Sequence, residues 1–234
     1  MWQFGSQHHK FPQFDFMSSA KRNKLNRFTT LPVLLDMLTK KRLAFSDPKF
    51  WDDENDTELL EIYRKKKNVN TLLALCFLED YETIHHWKTF AGGINGCCIE
   101  FDKVMLTKLF SDHKSDGVKF GSVVYKKIEC SEDGAIDDCE DMIPFKKRWP
   151  YRFEKEFRAI WCGREDNYAI LNIDLAMITR ITISQLMPNA RFEKIKKNLS
   201  NVVAGKTEIN QSTVYRNEEK WIDVFKKKFA NHRG

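Results

Sequence analysis

The chain has 234 residues, of which 42% are hydrophobic and 31% charged, with a formal net charge of +6. That suits one large domain or two small ones with a real core, and the balance reads as soluble and globular. No apolar run is long enough to span a membrane and no secretory signal opens the chain. The basic surplus permits an anionic partner such as nucleic acid without requiring one.

The six cysteines are Cys76, Cys97, Cys98, Cys130, Cys139 and Cys162. None forms a Cys-x-x-Cys pair, so neither a zinc knuckle nor a disulfide frame is indicated, and reduced thiols in a cytoplasm are the expectation. Residues 1–24 form an aromatic, His-containing arm, and 25–234 form a single domain. His8 and His9 have no matching cluster and are expected to be exposed.

Leu25–Thr30 is a β-like run, and Thr30 with Pro32 opens a helix over Leu31–Lys41 with Val33, Leu34, Met37 and Leu38 inward. Leu43–Ser46 is a short strand that Asp47-Pro48 ends. Trp51–Asp56 is an acidic loop of turn and cap residues that lacks the spacing of a calcium site, and Glu58–Lys67 is a helix. Thr71–Phe77 suits a buried strand. Tyr81–Phe90 is helical and carries His85, His86 and a core Trp87. The Gly92-Gly93 and Gly96 cluster turns the chain into a strand over Cys97–Phe101. Lys103–Phe110 is a helix, Val118–Lys126 a strand, and Cys130–Asp141 an acidic loop and helix. Tyr168–Ile173, Thr179–Ile183 and Gln211–Tyr215 are strands. Asn189–Leu199 is a helix on a stripe of Phe192, Ile195 and Leu199. Glu218–Phe229 is an amphipathic helix with Trp221, Val224 and Phe225 inward. The fold class is therefore α+β, with mixed or antiparallel sheets flanked by helices.

The stretch from Trp149 to Trp161 carries the densest chemistry. Read as a strand at period two, it sets Glu154, Glu156 and Arg158 on one side and Phe153, Phe157 and Ala159 on the other. Two carboxylates beside a guanidinium can stabilise and orient developing positive charge. They can also be cross-strand ion pairs on a solvated face.

Four blocks stand in order: Arg27-Phe-Thr-Thr-Leu-Pro-x-Leu-Leu-x-Met-Leu; Arg42-Leu-Ala-Phe-Ser-Asp-Pro-x-x-Trp-Asp-Asp; Trp87 with Gly96-Cys-Cys-Ile-Glu-Phe-Asp; and Trp149 with Tyr-x-x-Glu-Lys-Glu-Phe-Arg. From about Leu25 to Trp161 this order resembles the bacterial family known as domain of unknown function 2971. It also resembles ADP-ribosyltransferases of the Arg–Ser–Glu type, and the unit from Arg27 to Ser46 is similar to the ADP-ribosylating toxins that modify DNA. The Arg-to-Ser spacing is shorter here, and Phe45-Ser-Asp stands where that type has Ser-Thr-Ser.

The resemblance implies an ADP-ribosyltransferase-like fold and NAD as substrate. It implies that Glu156 stabilises the oxocarbenium-like transition state as nicotinamide leaves, that Glu154 engages the acceptor, and that Ser46 orients the glutamate. Arg27 would grip the pyrophosphate through its planar fork. Phe28, Phe45 or Trp51 would stack the nicotinamide. The expected role is that of a bacterial toxin or antiviral defence effector modifying a macromolecule, nucleic acid or protein, with an antitoxin or defence-system partner. Each residue also has a plain structural reading: Arg27 and the glutamates as ion pairs, Ser46 as a turn residue. Two other functions fit the sequence. One is a non-enzymatic nucleic-acid or protein-binding module of the same fold. The other is a metal-dependent nuclease in which Asp52, Asp53, Glu154 and Glu156, with a lysine, hold magnesium.

Overall fold

The computed structural model describes residues 23–127, 139–164, 169–203, 206–215 and 219–230. The N-terminal arm and most of the acidic 130–141 segment therefore lie outside the described residues. The opening run forms β1 (Lys24–Thr30), followed by α1 (Leu31–Lys40), β2 (Arg42–Ala44), a single helical turn at Pro48–Phe50, and α2 (Glu54–Lys66). Next come β3 (Thr71–Leu78), α3 (Ile84–Phe90), β4 (Gly96–Asp102), α4 (Lys103–Asp112), β5 (Val118–Ser122), β6 (Val124–Lys126) and β7 (Lys146–Arg148). The described chain continues with β8 (Glu156–Gly163), β9 (Ile170–Asn172), β10 (Ile178–Ile183), α5 (Asn189–Val202), β11 (Glu208–Gln211) and α6 (Glu219–Ala230).

Seven strands make one sheet in the order β11-β10-β4-β1-β3-β8-β5. Every neighbouring pair is antiparallel except β10 and β11, which are parallel and joined through α5. The expected α+β fold with a mixed sheet flanked by helices is what the chain adopts. Alternation along the strands separates the sheet's faces. One face carries the main core, where Leu75 and Phe77 of β3, Ile99 and Phe101 of β4 and Phe157 of β8 meet Leu34, Leu38, Leu106 and Phe110. Two smaller clusters are separate from it. Leu60 and Tyr63 of α2 pack on Leu72, Ala74 and Ile160, while Trp87 of α3 and Ala91 just after it pack on Cys98 with Phe28 against them.

Several elements depart from the sequence reading for local reasons. Helix α2 starts at Glu54 rather than Glu58, because the Asp53 carboxylate accepts from the amides of Asn55 and Asp56 at 3.1 and 3.4 Å. In α1 it is Leu31, not Val33, that completes the buried stripe, and Thr30 caps without a side-chain bond. The expected strand over Val118–Lys126 breaks at Val123, whose amide donates to the Glu156 carbonyl at 2.8 Å. The last strand lies at Glu208–Gln211, ahead of the expected Gln211–Tyr215. Trp221 and Val224 of α6 do not turn inward: they are 64% and 62% exposed, and the helix carries its aromatic stripe on the outside. No helix among the described residues is long and apolar enough to cross a membrane.

The largest departure is the central stretch. Trp149–Glu154 is a helical turn with Pro150 near its start, and Lys155 takes a left-handed conformation at φ 44° before β8 begins. Glu154 is therefore not on the strand and does not share a face with Glu156 by alternation. The proline and the left-handed residue set a corner where the sequence reading ran straight through.

Lys41 closes α1 in the same left-handed conformation, at φ 49°, with its amide bonded to the Met37 carbonyl. A side chain there is strained and glycine is not. Lys41→Gly is expected to stabilise the fold by about 1 kcal/mol, seen as a melting temperature higher by about 2–4 °C.

Candidate functional site

Strands β1 and β3 are neighbours in the sheet, but they register only at Asn26 and Leu78. The sheet opens between them, and the opening continues into the space between α2 and α3. A cavity of about 430 Å³ results. Residues from β1, β3, β7, β8, α2, α3, the Trp149–Glu154 turn and the segment from Phe50 to Asp53 line it, including Arg27, Phe28, Trp51, His86, Lys147 and Glu156. Aromatic side chains alternate with charged ones around it, the composition expected of a site for a flat, charged ligand.

A buried ion cluster forms one side of the cavity. Arg158, fully buried, donates to both oxygens of Glu156 at 2.7 and 3.0 Å and to both of Asp56 at 2.9 and 2.6 Å. It also donates to the Pro144 carbonyl at 3.0 Å and lies 5.1 Å from the Trp51 ring centre. Lys147 follows, with its Nζ 2.7 Å from Glu154, 3.4 Å from Asp56 and 3.5 Å from Glu156. Three carboxylates thus meet two cations in one buried cluster.

The two glutamates are driven apart chemically. Burial works to raise the Glu156 carboxyl, but the charge and hydrogen bonds of Arg158, with help from Lys147, outweigh it and bring it down to about 2. Glu154 moves the other way: its burial raises it, against the pull of Lys147. Lys147 is raised by the same three carboxylates despite its burial. Glu156 is thus a fixed anion, while Glu154, with one oxygen on Lys147, is the more readily protonated.

The predicted residues are distributed as follows. Glu156, Glu154, Arg27, Phe28, Ser46 and Trp51 all line the cavity. Arg27 is half-buried, gives one 3.3 Å hydrogen bond to the Cys76 carbonyl, and lies 5.9 Å from the Phe77 ring centre. It has no carboxylate partner among the described residues, and burial lowers its proton affinity. Ser46 does not orient a glutamate. Its hydroxyl donates to the Ala74 carbonyl at 3.1 Å, and its backbone bridges the same residue, patching the edge of β3. Phe45 is the clear exception: 6% exposed and packed in the main core, it does not line the cavity.

Sequence reasoning missed Asp56, Lys147 and Cys76. Asp56 sits four residues before Leu60 and seven before Tyr63, so an acid on the apolar stripe of α2 was its available signal. Lys147 is hidden in a basic run, Lys146–Arg148, that looks solvated in one dimension. Cys76 stands directly opposite Arg158 in the β3–β8 register, and its thiol is raised by burial and by neighbouring Glu156. Among the described residues no group of three histidine, cysteine, aspartate or glutamate side chains is placed to hold a metal. Of the four acids named in the nuclease reading, Glu154 and Glu156 have the Lys147 ammonium at 2.7 and 3.5 Å.

Arg158→Leu is expected to cost about 3–5 kcal/mol in urea unfolding, because it strands two buried carboxylates. The acid side has a definite sign. Glu156 is held at about 2, below its ordinary 4.5, so its contribution is complete above pH 4.5 and is lost as pH falls toward 2. Over that window wild-type stability should fall more steeply than that of Glu156→Gln, by up to about 1.4 kcal/mol per pH unit, in urea titrations at stepped pH.

No family model matches the chain, so the likeness to domain of unknown function 2971 rests on the quoted motifs alone. No curated protein matches it either. Among solved structures the chain is similar to one described as Thermus sp. 2.9 DarT in complex with NAD+, at 12% identity over 81% of this chain and 95% of that one, with a TM-score of 0.38. A likeness that distant carries no argument, and the functional reading stands on this chain's own residues.

Proposed function

We propose that the chain is an NAD-dependent ADP-ribosyltransferase that uses this cavity for NAD and acts on a macromolecule. One observation carries the reading: a guanidinium without a carboxylate partner among the described residues and a carboxylate held ionised line the same aromatic cavity. NAD in its oxidised form has the matching pair of charges, an anionic pyrophosphate and a cationic pyridinium.

Arg27 is the group for the pyrophosphate, because its remaining donors face no competing anion and its fork suits two oxygens at once. Phe28 and Trp51 offer flat faces for stacking. The bond that breaks joins C1′ of the ribose to the nicotinamide nitrogen, whose departure restores a neutral ring and leaves positive charge on the sugar. Glu156, ionised throughout, stabilises that charge, and Arg158 holds it in one orientation. A nucleophilic oxygen or nitrogen of the acceptor then bonds to C1′, and Glu154 takes its proton. Two carboxylates whose surroundings separate their proton affinities suit those two roles. Ser46 belongs to the cavity wall in this account. A chain that marked a macromolecule in this way would serve as a toxin or antiviral effector, the role implied by the family resemblance.

The test is incubation of purified protein with labelled NAD and a cell lysate, with nuclease and protease treatment to sort the acceptor. Wild type should transfer label. Glu156→Gln should lose about a hundredfold or more, and Arg27→Lys should raise KM for NAD more than it lowers kcat. Absence of both transfer and NAD binding by calorimetry would sink the proposal.

A further inference from the structure

We propose that the groove beside the main cavity is the acceptor site and that it takes an unpaired base of a single-stranded nucleic acid, stacked on Phe153. The inference rests on the NAD reading of the cavity and names the class of macromolecule on which that reading acts.

The groove, of about 610 Å³, is lined by α3 and the loop before it on one side and by the Trp149–Glu154 turn on the other. Thr89, Tyr151 and Glu154 line both it and the main cavity. The two spaces therefore meet at the carboxylate proposed to take the acceptor's proton. Tyr81 and Phe153 also line the groove, and they are 66% and 65% exposed. Alternation along a straight strand put Phe153 with the core residues. The corner at Lys155 leaves it outside instead. Two large rings exposed in one groove contribute little to the core, and such surface marks a place where something binds.

Charge selects the occupant. The Arg152 guanidinium lies 4.1 Å from the Phe153 ring centre and 4.9 Å from that of Trp149, and it donates to the Trp149 carbonyl at 3.3 Å. Lys127 is 5.7 Å from the Trp149 ring centre, and Lys155 lines the groove itself. Residues 146–155 carry five cations against one acid, Glu154. The other acid on the groove's lining, Asp80, accepts from the Tyr81 amide at 2.7 Å. Rings interleaved with cations suit single-stranded nucleic acid, because every base offers a π face and each link in the strand a phosphate. A duplex keeps its base faces stacked on one another and offers none to Phe153. Glycine would relax the left-handed corner at Lys155 but would remove a cation from the groove. A base on Phe153 lies beside Glu154, the next residue. There its nitrogen or oxygen bonds to C1′ of the ribose, the nicotinamide nitrogen leaves with the electron pair of the broken bond, and the proton passes to Glu154.

The experiment measures fluorescence anisotropy of labelled single-stranded DNA, single-stranded RNA and a DNA duplex with wild type, Phe153→Ala, Phe153→Trp and Arg152→Gln. NAD binding to wild type is measured beside it by calorimetry. Wild type should bind a single strand more tightly than the duplex, and the better of the two strands names the sugar. Phe153→Ala should bind that strand roughly tenfold more weakly, and Phe153→Trp, which restores a flat ring, close to wild type. Arg152→Gln should lower the slope of log affinity against log salt by about 1. Phe153 is exposed, so its replacement does not threaten the fold. Duplex binding as tight as that of either single strand, or Phe153→Ala equal to wild type, overturns the inference. So does transferred label that resists nuclease and is released by protease. A wild type that binds NAD but neither single strand also overturns it and leaves the NAD reading standing. A wild type that binds a single strand through Phe153 but no NAD defeats the NAD reading, and the acceptor assignment with it.

Discussion

The clamp that Arg158 makes on Asp56 and Glu156 is the constraint on which the rest of the site depends. A guanidinium with no solvent exposure must find anions, and its two partners come from different places, one on α2 and one two residues away on its own strand. That single side chain docks α2 onto the sheet, fixes the floor of the cavity and holds Glu156 ionised. Burying such a group is costly unless every donor is met. Here the two carboxylates and the Pro144 carbonyl engage all five, and the guanidinium lies against the Trp51 ring. Stability and the proposed chemistry are therefore not separable at Glu156: the residue proposed to stabilise charge on the sugar is the residue that completes the clamp.

The same cluster divides labour between the two glutamates. Arg158 engages both oxygens of Glu156, whereas Glu154 receives one contact from Lys147 at the end of a helical turn. The corner at Lys155 creates this difference. On a straight strand the two carboxylates would share a face and much the same surroundings. Breaking the strand leaves Glu154 at the mouth, where the cavity meets its neighbouring groove, and Glu156 in the wall.

Much of the fold was legible in the sequence because the elements carry their own punctuation. Thr71–Leu78 is a continuous apolar run that can only be buried, and Pro32, Asp47-Pro48 and the Gly92-Gly93 pair mark ends that the structure keeps. The site was partly legible, since Arg27, Phe28, Trp51, Glu154 and Glu156 do converge. What stayed hidden was relational. Asp56 belongs to Arg158 across 102 positions, and no local pattern announces a partner so far along the chain. Phe45 misled because one position in a strand decides between cavity and core, and β2 pairs with β9, which places that side chain inward.

The single pairing between β1 and β3 has a mechanical meaning as well as a geometric one. On either side of that seam the strands are bound along their length, β1 to β4 through seven residue pairs and β3 to β8 through eight. At the seam there is one. The sheet is therefore two fully paired halves that meet at one backbone register pair, and the cavity lies along that line. The seam is held instead by side chains: Asn26 donates to the Asp80 carbonyl, Arg27 to the Cys76 carbonyl, and Phe77 packs on Phe101 in the core that both halves share.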